Sequence, residues 1–466
     1  MKGTLRSAEY TGDGLVPSLM QGCLARQVLA LAGSLLLSGC LLGPNYVRPA
    51  TPQSGSWREP LGKGLSGGPI DRTQLATWWT VLEDPVLTDL VARGVSGNLD
   101  IAAARERVRE VEARRDLTKA GLYPSLRAKV AGLEADWNID VFGGVRRSIE
   151  GAVADLGASQ EDLRDALVAV AAAIVQSYVD LRSYETRLAI AKNNFDAQSE
   201  TLQIASWRSQ AGLTTALDVE QARANLEQTR AQIPSLRAGI EDARNRLAVL
   251  VGETPGSLAE MLEPPKPIPS APPEVAVGVP ADALAQRPDV RRAEKQLAAE
   301  TARVGAARAE AYPSFSIFGS IGILPSTFAS YEFHAFGGVN VVQVLFDGGA
   351  IRAKISAQEA IRAESVARFQ STVLKALEDV EDGIVNYTEE QTRRESLTAA
   401  ADSAQRAADL LRERYASGLV DFLAVLDANR SLLQIQDQLA VSQSQVVSDL
   451  IRLYKSLGGG WEAKKG

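Results

Sequence analysis

The stretch from Asp100 to Tyr123 recurs without a gap from Asp289 to Tyr312. LDIAAARERVREVEARRDLTKAGLYPSL at 99–126 aligns with PDVRRAEKQLAAETARVGAARAEAYPSF at 288–315. GGVRR at 143–147 aligns with GGAIR at 348–352, and SQAGLTTALDV at 209–219 with ASGLVDFLAVL at 416–426, through Gly212 and Gly418. Three matches in one order, each ending in a helix breaker, mark a tandem duplication. Whatever one copy folds into, the chain makes twice.

Proline says what each copy contains. None lies between Pro124 and Pro234 and none follows Pro325, whereas nine of the twenty fall between Pro255 and Pro288. A proline ring clashes with the preceding helical turn and removes a donor, so the empty stretches are where long helices can live and 252–288 is a linker. Within the gaps the apolar residues keep a 4/3 rhythm. Leu163, Leu167, Val170, Ile174, Leu181, Tyr184, Leu188 and Phe195 mark one arm, and Phe369, Val373, Ala376, Val380 and Tyr387 its counterpart. The returning arms carry Val219, Ala222, Leu226, Leu236, Ile240, Ala243 and Leu247, mirrored by Val425, Leu432, Leu439, Val446 and Leu453. Such spacing predicts antiparallel helices packed along their length, with a kink at Pro234. Helices over 146–210 and 350–415 would each reach roughly 100 Å, matched by 216–251 with 98–122 and by 421–456 with 289–311 stacked end to end.

Between Tyr-Pro and Gly-Gly in each copy the period changes to two. Phe315, Ile317, Ile321 and Ile323 alternate with Ser314, Ser316, Ser320 and Gly322, and a loop containing Pro325 leads to the run VNVVQVLF at 339–346. In the first copy Leu126, Ala128 and Val130 alternate with Arg127 and Lys129, and Trp137, Ile139 and Val141 with Asp136, Asn138 and Asp140. Each copy thus predicts one hairpin with an apolar and a polar face. Four strands are too few to close a barrel, which begins at about eight, so several chains must contribute. Strands of six or seven residues in the first hairpin also fall short of the roughly 9–11 that cross a bilayer.

Residues 27–37, QVLALAGSLLL, form an apolar run behind Arg26, too short for a transmembrane helix and suited to a signal peptide. The acidic and proline residues of 2–19 do not fit such a leader, which places the translation start at Met20. No later stretch of the chain offers 18 consecutive apolar residues. The net charge of −7 leaves no excess of cations for nucleic acid. One histidine, His334, and two cysteines, Cys23 and Cys40, leave little for a metal site or a histidine-based catalytic apparatus, so no enzyme, metal or cofactor is expected.

Leu37-Ser38-Gly39-Cys40 followed by GPNYVRPATP, Trp78-Trp79 before Asp84-Pro85, LYPSL, DVFGG, LAQRPDVRRAE, LFDGGAIR, YASGLVDFLAVLDANRSLL and the terminal LGGGW together resemble the TolC-like outer membrane factors of tripartite efflux pumps. The similarity is strongest to the NodT-type lipoprotein subfamily. It implies cleavage before Cys40 and a covalent lipid on its thiol, with Leu41 at the next position directing export to the outer membrane. It also implies a mainly α fold with a β part: a homotrimer with a twelve-stranded outer-membrane barrel, a periplasmic tube of long antiparallel helices and an equatorial belt. The segments are then a signal peptide (1–39), a lipidated N-terminal and equatorial region (40–97), a first repeat (98–251), an equatorial linker (252–288), a second repeat (289–457) and a tail (458–466).

The long helices turn at Gly212 and Gly418, glycines suited to a helix end, with Thr214 or Thr215 and Asp421 able to cap the helices that follow. The resemblance implies that these tips, Gly212, Leu213 and Thr214 with Gly418, Leu419, Val420 and Asp421, meet a periplasmic adaptor, and that Asp427 with Leu423 rings the closed periplasmic mouth. The expected function is passive conduction of small toxic solutes from an inner-membrane pump and adaptor across the periplasm and outer membrane. A duct for type I protein secretion and a lipid-anchored coiled-coil tether without a pore are the other readings the sequence leaves open.

Overall fold

The computed structural model describes residues 41–50, 55–62, 64–69, 71–130, 132–326 and 330–461, so Cys40 lies outside the described residues. The duplication is visible in the helix lengths. In the first copy α3 (Leu99–Ala120) has 22 residues, α4 (Gly144–Gln210) 67 and α5 (Ala216–Leu250) 35. In the second, α8 (Pro288–Ala309) has 22, α9 (Ala350–Ala416) 67 and α10 (Phe422–Ser456) 35. The short elements are α1 (Arg72–Ala76), a 3-10 turn (Trp78–Leu82), α2 (Pro85–Gly97), α6 (Ala259–Leu262), α7 (Pro280–Gln286) and a parallel pair, β1 (Leu65–Ser66) with β4 (Val275–Ala276). Helix α5 includes Pro234, the position of the predicted kink, within its span.

The chain forms two compact units. One comprises residues 41–46 with Arg114–Val153 and Ala298–Arg362. Its sheet is antiparallel, in the order β2 (Ser125–Lys129), β3 (Gly132–Ile139), β5 (Ser314–Ser326), β6 (Ser330–Val342), so the hairpins of the two copies lie side by side. The register gathers the apolar residues on one face, with Phe318 and Phe336 among the exceptions on the other. Leu126 pairs with Ala135, Leu133 with Ile321, Trp137 with Ile317 and Ile317 with Val339, giving one continuous apolar face. Arg127 opposite Glu134, Asn138 opposite Ser316 and Ser316 opposite Asn340 lie on the other face. The apolar face is exposed in the single chain, with Leu126 at 71% and Val339 at 66%.

Two details differ from the sequence expectation. The second hairpin has no loop at Pro325; β5 continues through it to Ser326, where the missing donor falls next to the strand end and costs little. Strand β6 begins at Ser330 rather than 339 and stops at Val342, because Asp347 accepts from the amides of Gly349 (2.8 Å) and Ile351 (2.7 Å) and turns the chain into α9. The short first hairpin is as expected: β2 and β3 have 5 and 8 residues against 13 in each strand of the second.

The other unit comprises the described residues of Val47–Ala113, Ala154–Leu297 and 363–461. Its largest core cluster gathers α4, α5, α9 and α10 around Trp57, Trp78, Leu87, Leu90, Val91 and the linker residues Val275 and Val277. Here α4 departs from its heptad seam. Val168, Ala171, Val175, Tyr178 and Val179 are buried as fully as Val170, Ile174 and Leu181, because the N-terminal segment and the linker cover the face that a two-helix seam would leave in water. Arg287 of the RPD motif is buried and forks onto Asp289 (2.7 Å) and Asp379 (2.8 Å) while donating to the carbonyl of Ser456 (3.0 Å), which satisfies an orphan acceptor at the end of α10.

Asp84 performs a similar task at the start of α2. Its carboxylate accepts from the amide of Val86 (2.9 Å), from the Tyr178 hydroxyl (2.5 Å) and from Lys266 of the linker (3.2 Å). Burial pushes the Asp84 pKa up, but the bonds from Tyr178 and Lys266 outweigh it and hold the carboxyl below its ordinary value. Asp84→Ala removes the cap and strands the Tyr178 hydroxyl, and should destabilise the chain by about 2 kcal/mol. Because the folded pKa is depressed, that contribution is complete above the unfolded value of about 3.9 and disappears as pH falls through the folded one. Thermal melts of both proteins should therefore differ at pH 7, and the gap should narrow as the pH falls below the unfolded value; a gap of unchanged size in acid would disprove the assignment.

Candidate functional site at the helical tips

Both long helices end in the same way. Gly212 and Gly418 have φ of +73° and +75°, values a side chain makes costly. The Gly212 amide donates to Ser209 O (3.0 Å) and that of Leu213 to Arg208 O (2.8 Å); Gly418 donates to Tyr415 O (2.9 Å) and Leu419 to Arg414 O (2.9 Å). These are paired Schellman ends. The returning helices start on capping side chains. Thr215, rather than Thr214, caps α5 in a reciprocal box with Asp218, and Asp421 caps α10 by accepting from the Ala424 amide at 3.0 Å. The Thr214 hydroxyl donates to the Asp218 carboxylate instead, and this bond is the chief reason the Asp218 pKa lies below its ordinary value.

The two tips are fastened to each other. Arg208 lies 4.8 Å above the Tyr415 ring and donates to the Tyr415 carbonyl (2.5 Å), while Ala205, Ala222, Tyr415, Phe422, Val425 and Leu426 form a small core beneath the turns. Val420 is half-buried and packs against that core. Leu213 and Leu419 do the opposite. In a Schellman end this position usually folds back onto the helix, yet they are 69% and 76% exposed. Trp207 and Leu217 beside them are also exposed and were not singled out in the sequence. The signal was present: both are large apolar residues off the heptad seam and next to a turn.

One turn along α10, Leu423 and Asp427 are four residues apart, share a face and are both exposed, while Val425, Leu426 and Leu432 on the opposite side are buried. Asp427 has no ion-pair partner among the described residues. Its helix is tied back by side chains further along: Arg187 of α4 grips Asp437 with two bonds of 2.7 and 3.1 Å, and Arg430 donates to Asn225 of α5 at 3.2 Å. Among the described residues, no group of His, Cys, Asp and Glu side chains could hold a metal ion.

The family pattern described as outer membrane efflux protein matches residues 93–253 and 279–459. Nodulation protein T of Rhizobium leguminosarum bv. trifolii is 33% identical over 453 residues, covering 91% of this chain and 94% of that protein. Outer membrane protein OprJ of Pseudomonas aeruginosa is 30% identical over 468 residues, covering 93% and 96%. Among solved structures, that of the outer-membrane channel OprN superposes with a TM-score of 0.83 at 31% identity, covering 91% of this chain and all of that one.

Proposed function

The chain belongs to the outer membrane efflux protein family, and from that premise we propose that three copies join into the outer-membrane duct of an efflux system. The observation that carries this reading is the sheet, with one wholly apolar face and two open edges, β2 and β6. Unpaired edges in hydrocarbon are too costly to persist, and three such sheets edge to edge give twelve strands, enough for a closed wall with its apolar face toward lipid and its polar face toward water. The long helices then extend the duct into the periplasm. Leu213 and Leu419, with Trp207 and Leu217, form the surface for a periplasmic adaptor that links the duct to an inner-membrane pump, and Asp427 with Leu423 narrows its mouth. The chain supplies no energy; it conducts small solutes passively. Cys40 carries the lipid anchor.

Purified in detergent, the protein should have the mass of three chains and should form ion-conducting channels in a planar bilayer. It should also restore solute resistance to an efflux-deficient strain when co-expressed with a cognate adaptor and pump. A stable monomer that never conducts would defeat the reading.

A further inference from the structure

Two sequence motifs that the duct does not account for meet in the sheet-bearing unit. They are Gly43-Pro44-Asn45-Tyr46, just after the lipidation cysteine, and Arg147 of Gly-Gly-Val-Arg-Arg. Arg147 is only 2% exposed. Its Nε donates to the Leu42 carbonyl (2.9 Å), one terminal nitrogen to Asn45 Oδ1 (2.8 Å) and the Gly43 carbonyl (3.4 Å), and the other to the Glu150 carboxylate (2.7 Å). The floor of this seat is Gly305 on α8. A Cβ there would lie 2.8 Å from the Leu42 carbonyl oxygen, and a Cβ on Gly43, whose φ is +89°, would lie 2.4 Å from the Gly305 Cα. Backbone therefore rests directly on helix.

The duplication provides an internal control. Arg352 occupies the Arg147 position in the second copy and is exposed; Asp116 occupies the Gly305 position in the first copy and is exposed. A buried arginine and a bare helix face thus coincide once per chain, where the single N-terminal segment lies.

We propose that Arg147 and Gly305 form a seat that holds residues 42–45 rigidly, so that the lipid on Cys40 sets the depth of the channel wall in the bilayer. Cys40 precedes Leu42 by two residues, which leaves at most about 7 Å of slack. A depth stop has a use here, because β2 and β3, with 5 and 8 residues, fall below the roughly 9–11 expected of a strand that crosses a bilayer. The inference rests on the reading that Cys40 is acylated and that the sheet enters the membrane.

The test uses the full-length protein in outer membranes with labelled palmitate, comparing wild type, Arg147→Ala, Arg147→Lys and a ten-residue Gly/Ser spacer inserted between Leu41 and Leu42. Chymotryptic cleavage after Leu42 reports the seat; the fraction of heat-resistant, membrane-inserted trimer reports the depth stop. Arg147→Ala should be cleaved at least tenfold faster, with Arg147→Lys between it and wild type. The spacer should keep the wild-type cleavage rate, since it leaves the seat untouched. Arg147→Ala and the spacer should both lower the inserted fraction several-fold. Unchanged cleavage in Arg147→Ala would overturn the seat, and full insertion of the spacer protein would overturn the depth stop even if Arg147→Ala failed to fold. An unlabelled wild-type protein would overturn the proposal through its anchor, whereas labelled trimers that insert but never conduct would count against the duct alone.

Discussion

Replacing Asp427 with alanine is expected to raise single-channel conductance and to lower the cation-to-anion permeability ratio about tenfold. The carboxylate is exposed and has no ion-pair partner among the described residues, so no described side chain neutralises it. On the proposed reading, three copies around an axis place three charges at one constriction. A monovalent ion about 6 Å from each gains roughly 0.7 kcal/mol per carboxylate even at the dielectric of water, about 2 kcal/mol in all, while a tenfold ratio needs only about 1.4 kcal/mol. Because the Debye length shrinks from about 10 Å at 0.1 M salt to about 3 Å at 1 M, the selectivity difference should fade in concentrated salt while the conductance difference, partly steric, remains. Reversal potentials and conductances in planar bilayers at matched trimer content check both; equal values for the two proteins would remove Asp427 from the mouth.

Leu419→Asp should return an efflux-dependent strain to the susceptibility of one lacking the channel, with trimers still assembled. Leu419 is 76% exposed, and its amide donates to Arg414 O, a backbone bond that aspartate keeps. A carboxylate buried without a partner in an apolar contact costs several kcal/mol, and it would be repeated in each of three copies. Leu213→Asp should act in the same direction. Gly418→Asp should also abolish export, but at φ +75° it adds backbone strain at the turn, so the leucine substitution isolates docking more cleanly. Wild-type resistance with Leu419→Asp would show that the tips do not receive the adaptor.

The sequence carries much of this because its strongest signals are local. The turns at Gly212 and Gly418 need φ above zero, and Asp421 is the side chain that can satisfy the orphan amides of the next helix. Other residues were legible as types but not in their roles. Val420 reads as part of a surface loop, yet it turns onto the small core under the tips. Thr214 and Thr215 are equivalent on paper, and only the backbone path decides which of them caps. Pro325 reads as a strand breaker until the strand is seen to end one residue later.

The sequence by itself determined the periods and their interruptions: two copies, long helices where proline is absent, hairpins where the period becomes two. These follow from backbone sterics and from side chains close in the chain, which need no knowledge of distant partners. Tertiary structure alone decided which surfaces meet. It set the two hairpins side by side with β3 against β5, buried most of residues 170–185 of α4, and brought Arg147 to the carbonyls of residues more than a hundred positions away. Burial and pairing are properties of neighbours in space, and a period of 3.6 or 2 fixes which residues share a face but not what that face will touch.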